Sequence, residues 1–241
     1  MGLTAGTRAA VKWGVAAVCF ASLALDLWRI GGDWSWLMIP AALVGWYVSD
    51  LNSGLVHMYM DYRPSKPGTG LRELYFWQGS TGSRAYRRLE REVYGRISPL
   101  ERVAYDFKKH HPMPDLVARN GVLDLMWLPM LIVLPVALAY NALFLLTDMP
   151  GWFIVGVVTT LTGSIFTQYF HGTMHRDERA PTVRLMRGLG LLMKPEAHTH
   201  HHAVLTRDFA VISGWSNPLV NLCAHTLLRL GVMRKEGLEP S

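Results

Sequence analysis

The sequence predicts an all-α integral membrane protein of about four transmembrane helices, with a cytoplasmic helical cap that carries a histidine-rich di-metal site. Three observations lead there. Half of the 241 residues are hydrophobic and only 17% are charged, against about 25% charged in ordinary soluble domains. Long apolar runs recur at the length a bilayer demands. Nine of the ten histidines fall into four short clusters, His57, His110-His111, His171-x-x-x-His175 and His198-x-His200-His201-His202. Clustered imidazoles are first of all a metal hypothesis, because imidazole is neutral near pH 7 and suits iron, zinc, copper or nickel.

Taken in order, the chain reads as one domain over residues 1–241. Val11 to Ile30 is an apolar run preceded by Arg8 and Lys12. It is too long for a signal-peptide core, and Ala21-Ser22-Leu23-Ala24 is a poor cleavage site, so it is expected to stay as an anchor over 11–30. Gly31-Gly32-Asp33 is a tight turn, and a second span over 34–57 carries polar residues to its far end. Residues 62–120 form the one long polar segment and hold twelve of the 24 lysines and arginines. Within it, Ser83 to Val93 and Pro99 to Lys109 read as amphipathic helices. Ser98-Pro99-Leu100-Glu101 gives the second an N-cap, a first-turn proline and a first-turn acid, and Pro112 and Pro114 stop it just past His110-His111.

Residues 122–146 and 151–170 are the third and fourth spans, a hairpin whose connection Thr147-Asp148-Met149-Pro150 has no basic residue. With the N-terminus inside, Arg29 alone of the basic residues lies near the outer face, as the positive-inside rule expects. The same topology places all four histidine clusters on the cytoplasmic side, within segments 62–120 and 171–208 or at the span ends. Residues 209–232 are apolar but broken by Gly214, Asn217-Pro218 and His225, which suits an interfacial helix better than a fifth span. Cys19 and Cys223 lie far apart in apolar segments, so neither a disulfide framework nor sulfur ligation is expected. The net charge of +6 comes without any nucleic-acid-binding motif, and no nucleic-acid partner is expected.

His171 and His175 stack on one helix face and can grip one ion. Gln168 sits a turn earlier on the same side. Asp50, His57 and Asp61 share a face of the second span, which makes Asp61 an acceptor able to fix a histidine tautomer from behind. Glu196 and Asn217 are further candidates for that supporting role. His57, His110, His111, His171, His175, His198, His201 and His202 number eight, whereas one zinc takes three or four protein ligands, so two ions are needed to use them. Arg84, Arg87, Arg88, Lys108 and Lys109 are candidate contacts for lipid headgroups or for an acidic partner, set against a plain solvated basic face.

Four stretches together resemble the Kua-type lipid desaturases: Ser53-Gly54-Leu55-Val56-His57-x-x-x-Asp61, Phe107-x-x-His110-His111-x-x-Pro114, Gln168-x-x-His171-x-x-x-His175, and His198-x-x-His201-His202 followed by Ile212-Ser213-Gly214-Trp215-x-Asn217. That family includes animal plasmanylethanolamine desaturase, the bacterial CarF proteins and the plant plastid desaturase acting on phosphatidylglycerol. The resemblance implies a multi-pass membrane enzyme with two iron ions that uses dioxygen and an external electron donor to remove two hydrogens from a phospholipid chain. It implies an electron-transfer partner of cytochrome b5, ferredoxin or reductase type. The family histidines carry over onto the eight named above and leave out His200 and His225. Two departures stand out: 52 residues separate His57 from His110, an insertion over Arg63 to Arg102, and Phe209-Ala210-Val211-Ile212 stands where the family has a Tyr-Cys-Ile pattern. A histidine-lined metal transporter is the non-enzyme alternative, but transporters place their ligands near the midplane rather than at span ends. A di-iron hydroxylase, a zinc hydrolase or an acyl-chain desaturase on the same scaffold are the enzymatic ones.

Overall fold

A computed structural model describes residues 4–240; positions 1–3 and 241 of the expected domain lie outside the described residues. Among those described there are helices and no strand. They are α1 (Ala5–Ile30), α2 (Met38–Tyr62), α3 (Leu71–Tyr75), α4 (Arg84–Tyr94), α5 (Pro99–Lys109), α6 (Asp115–Ala118), α7 (Val122–Leu146), α8 (Gly151–Met174), α9 (Pro181–Gly188), α10 (Pro195–Val204) and α11 (Asn217–Arg229), with a 3-10 turn over Lys235–Leu238.

Three of these are long and apolar enough to cross a membrane: Gly6–Ile30, Val122–Leu146 and Gly151–Met174. The expected second span is a helix of sufficient length, α2, but falls short on apolarity. Its sequence is inside out. Ser49, Asp50, Ser53, His57 and Asp61 recur at helical spacing and are buried, while Ile39, Leu43, Val44 and Val56 face outward. The polar stripe lowers the mean hydropathy while the outer face stays as greasy as that of a spanning helix.

The core of the bundle lies between α1, α7 and α8, around Leu23, Met130, Val133, Val158 and Ile165. α2 packs along α8 more extensively than any other pair of helices. Gly45 and Gly163 make this possible. A Cβ at Gly45 would strike the carbonyl of Gly156, and one at Gly163 would strike the Ser49 hydroxyl, so small residues let the two backbones close up. α7 also packs on α8, yet α2 and α7 share almost no contact, which leaves a cleft between them with α8 as its floor.

The cap follows the sequence signals closely. Ser98 and Glu101 form a reciprocal capping box, with the Ser98 hydroxyl accepting from Glu101 N at 3.2 Å and the Glu101 carboxylate accepting from Ser98 N at 2.9 Å. α5 ends at Lys109, with His110 as its C-cap. The insertion is folded: Leu71, Leu74, Tyr86 and Val93 make a small core with Tyr105 of α5. It buttresses the helix that delivers His110 and His111. The expected interfacial helix over 209–232 is shorter than anticipated. Residues 209–216 are not helical, and α11 begins at Asn217 with Pro218 in its first turn.

Candidate metal centre

Four elements deliver the eight histidines to one place. His57 comes from α2, His110 and His111 from the end of α5, His171 and His175 from the end of α8, and His198, His201 and His202 from α10. Their donor atoms form two adjoining groups, His110, His171, His175, His198 and His202 in one, and His57, Asp61, His111 and His201 in the other; the atoms of each lie within 4.8 Å of one another.

The backs of the rings fix the tautomers. Nδ1 donates to a backbone carbonyl in His57 (Phe209 O, 2.9 Å), His201 (Arg207 O, 2.7 Å), His202 (His111 O, 3.4 Å) and His110 (Phe107 O), and in His171 to Gln168 Oε1 at 3.3 Å. A carbonyl can only accept, so the proton sits on Nδ1 and Nε2 presents a lone pair inward. The Nε2 atoms of the first group converge. The Nε2 atoms of His171 and His198 are 3.0 Å apart, and the pairs His171 with His175, His175 with His198, and His198 with His202 are each 3.1 Å apart. The Nε2 atoms of His171, His175 and His198 are thus all within 3.1 Å of one another and cannot all pair donor with acceptor, and with their protons on Nδ1 the lone pairs would repel unless a cation lay among them. Separations near 3 Å are those of nitrogens at right angles around an ion with bonds of about 2.1 Å.

The second group contains an acid. Asp61 is fully buried, and its Oδ2 lies 3.4 Å from His57 Nε2, 3.6 Å from His111 Nε2 and 3.4 Å from His201 Nε2. Both of its oxygens lack a hydrogen-bond partner, as do the Nε2 atoms of His57 and His110. Buried polar atoms without partners are costly, and their convergence fits an ion with nitrogen and oxygen ligands. Asp61 therefore stands among the donor atoms themselves, not behind a histidine as its spacing suggested. The sequence could have shown this only by noting that the second group otherwise lacks a negative charge.

Burial and mutual repulsion hold five of these imidazoles below the usual range. His111 is pushed down to about 2, and His175 and His202 to about 4, in each case by burial first and then by the neighbouring histidines. Burial also lowers His110 and His198. Their lone pairs are thus free at neutral pH. Lys108 is buried behind this group and donates to Arg63 O. Burial drives its pKa down to about 8 against the opposing pull of Asp61.

The remaining sequence candidates separate cleanly. Gln168 stands behind His171 as expected. Asn217 acts one step further out: its Oδ1 accepts from Ala210 N at 2.9 Å and so steadies the loop whose Phe209 carbonyl holds His57. Glu196 is exposed in the first turn of α10 and does not reach the donor groups. Lys108 and Lys109, expected at the surface, are buried, and Lys109 bonds Tyr86 with Glu90 at 3.8 Å. Both point into the packing between α5 and the insertion. Arg84, Arg87 and Arg88 are exposed on α4, and none lines the cleft. His200 is an exposed partner of Asp208 and His225 is exposed on α11, so neither joins the groups.

Asp50 is the residue whose importance the sequence understated. Buried on α2, its Oδ1 accepts from the backbone N–H groups of Ile212, Ser213 and Gly214, and its Oδ2 from Ser216 N and Oγ, all at 2.7–3.2 Å. Ser53 Oγ accepts from Val211 N at 3.1 Å. These bonds hold residues 211–216 against α2. Hydrogen bonds to charged groups contribute about 1.5–3 kcal/mol each, so Asp50→Ala is expected to cost at least ~3 kcal/mol and lower the unfolding midpoint by on the order of 10 °C. An unchanged thermal transition in detergent would show that the loop is held by other means.

The cleft between α2 and α7 ends on this centre. It encloses about 730 Å³, and His57, His110 and His171 line its inner end. Leu128, Ile132 and Val133 of α7 and Val48 and Val56 of α2 make its walls apolar, and Asp106, Asn120 and Asp124 rim its inner mouth.

A helical bundle of membrane-length helices that gathers eight imidazoles and a buried carboxylate at the end of an apolar cleft defines a class of membrane protein with a polyhistidine centre. Comparison with known proteins makes the class specific. The lipid desaturase domain model matches residues 94–240, and the chain belongs to that family. It is 28% identical over 211 residues to the plasmanylethanolamine desaturase of Myxococcus xanthus, an alignment covering 84% of this chain and 64% of the relative. The chain thus spans a little under two thirds of that relative's length. No solved structure matches.

Proposed function

We propose that the protein is a membrane lipid desaturase that holds two iron ions, uses dioxygen and an external electron donor, and acts on an intact phospholipid by converting an O-alkyl chain to a vinyl ether. One observation carries the reading: two adjoining donor groups close the inner end of an apolar cleft between membrane-length helices. His110, His171, His175, His198 and His202 would hold one ion, and His57, Asp61, His111 and His201 the other. The absence of thiolate and the nitrogen-rich set with one carboxylate suit iron. When bound, the irons supply the reduction of dioxygen and the removal of hydrogen from an unactivated chain.

The protein's own residues do the positioning. His57, His110 and His171 are the donors that line the cleft, so the chain is presented to them. The apolar walls exclude water from the reacting carbons. On the opposite side His175 and His202 are only half-buried, and electrons enter there from an electron-transfer protein of cytochrome b5, ferredoxin or reductase type. Lipid and electrons thus approach from different faces. The test is incubation of enzyme-containing membranes with oxygen and reductant. A phospholipid two hydrogens lighter is the expected product; a product with an added oxygen rejects desaturation in favour of hydroxylation.

In this reading α2 is a fourth span and the centre is cytoplasmic. Reporters fused at Gly32 and Asp148 are expected to lie outside, and those at Ser83 and the C-terminus in the cytoplasm, from the basic bias of the inner segments. An outside signal at Ser83 would invert the orientation.

A further inference from the structure

The cleft continues well past the donor groups. It runs from His57, His110 and His171 at one end to Val136, Tyr140, Val157 and Thr160 at the other. Along α8 the stretch from Val157 to His171 rises about 21 Å at roughly 1.5 Å per residue. A bilayer core of about 30 Å gives each leaflet's tails about 15 Å of depth, so the cleft is long enough to take a tail through the whole depth of its leaflet. Its carboxylates, Asp106 and Asp124, both stand at the inner mouth.

The outer end has a boundary. Val136 and Tyr140 line both the cleft and a separate shallow groove bordered by Pro135, Ala139 and Leu143. The Tyr140 ring is held by Phe144, with centroids 5.7 Å apart, and Phe144 in turn packs on Phe153 of α8 at 6.3 Å. A side chain braced in this way makes a stop, not a flap.

We infer that Val136 and Tyr140 form the chain-length stop of the lipid site: the tail lies along the cleft with its methyl end against this partition, and the distance from the partition to His57 and His171 sets which tail lengths are placed at the centre. The inference rests on the desaturase reading for its reaction but not for its ligand placement. Val136→Trp shortens the cleft by filling its end, and Tyr140→Ala joins it to the outer groove and lengthens it. One methylene too many in a closed apolar site costs roughly tenfold or more in discrimination.

The test has two arms. Full-length protein in vesicles of mixed phospholipids is exposed to a phospholipid carrying a diazirine at the methyl end of its chain, irradiated, and mapped by peptide mass spectrometry. Adducts are expected within 136–140 and 157–161, whereas a diazirine next to the glycerol is expected to label 103–124. Terminal-diazirine adducts at the inner mouth, or only on the outward faces of α1 and α2, would overturn the inference whether or not the protein desaturates anything. In the second arm, alkyl phospholipids of graded length compete for turnover. Val136→Trp is expected to lower conversion of the longest relative to the shortest chain by at least about tenfold, and Tyr140→Ala to shift preference the other way. Unshifted preference in both variants, with metal content equal to wild type, also overturns it.

Discussion

Asp61→Ala is expected to reduce the metal content of the purified protein from about two ions per chain to about one, and to lower lipid turnover by more than about 100-fold. The lower bound follows from the 10- to 100-fold losses that accompany removal of groups merely supporting a metal ligand; Asp61 is placed among the donors. Without it, His57, His111 and His201 would face an ion with no negative charge in their group, and the neutral imidazoles of the other five could not compensate. His171→Ala or His202→Ala removes one of five donors from the first group, and both ions are expected to be lost together because the groups adjoin: His202 Nδ1 donates to His111 O at 3.4 Å, and the His57 and His171 rings lie 5.4 Å apart. His200→Ala and His225→Ala serve as controls and should leave metal content unchanged. Metal analysis after purification decides the matter. Two irons retained in Asp61→Ala would return Asp61 to a supporting role, and one zinc with no iron in the wild type would remove the oxygen-dependent chemistry altogether.

Much of this centre was legible in the sequence because its donors lie on helices with local signals. The i, i+4 pair His171 and His175, the capping box of Ser98 and Glu101, and the prolines after His111 each fix where a side chain points before any tertiary contact is known. What was not legible depends on which chain segments meet. Asp61 reads as an acceptor behind a histidine until His111 and His201, from two other segments, arrive around it. Asp50 reads as one polar residue of a span until residues 212–216 are seen to thread past it. Lys108 and Lys109 look like surface cations in a basic segment, and only the folded insertion, through Arg63 and Tyr86, accounts for their burial. The length of the last helix was overestimated for the same reason. Its apolar residues Phe209 to Ile212 are buried by tertiary contact, with their backbone bonds made to α2 and to Asn217.

Supplied with alkyl-ether and diacyl phospholipids side by side, membranes containing the protein are expected to convert the ether and leave the acyl chains unchanged. The argument is one of level and of chemistry. The polar rim of the cleft, Asp106, Asn120 and Asp124, lies next to the donors, with Asp106 one helical turn, about 6 Å, before His110 on the same segment. A headgroup at that rim brings the glycerol end of a tail to His57, His110 and His171, while the rest of the tail runs toward Tyr140. At that end an acyl chain offers a carbonyl carbon, which has no hydrogen to remove, whereas an O-alkyl chain offers two adjacent methylenes. Removing one hydrogen from each gives R–CH=CH–O, and with one dioxygen, two electrons and two protons the balance closes on two waters. The vinyl ether is acid-labile, so aldehyde released by mild acid and the double-bond position in the mass spectrum report it directly. A new double bond in an acyl chain, with the ether lipid untouched, would keep the desaturase reading and reject this substrate, because it would require the chain to enter with its middle, not its glycerol end, at the histidines.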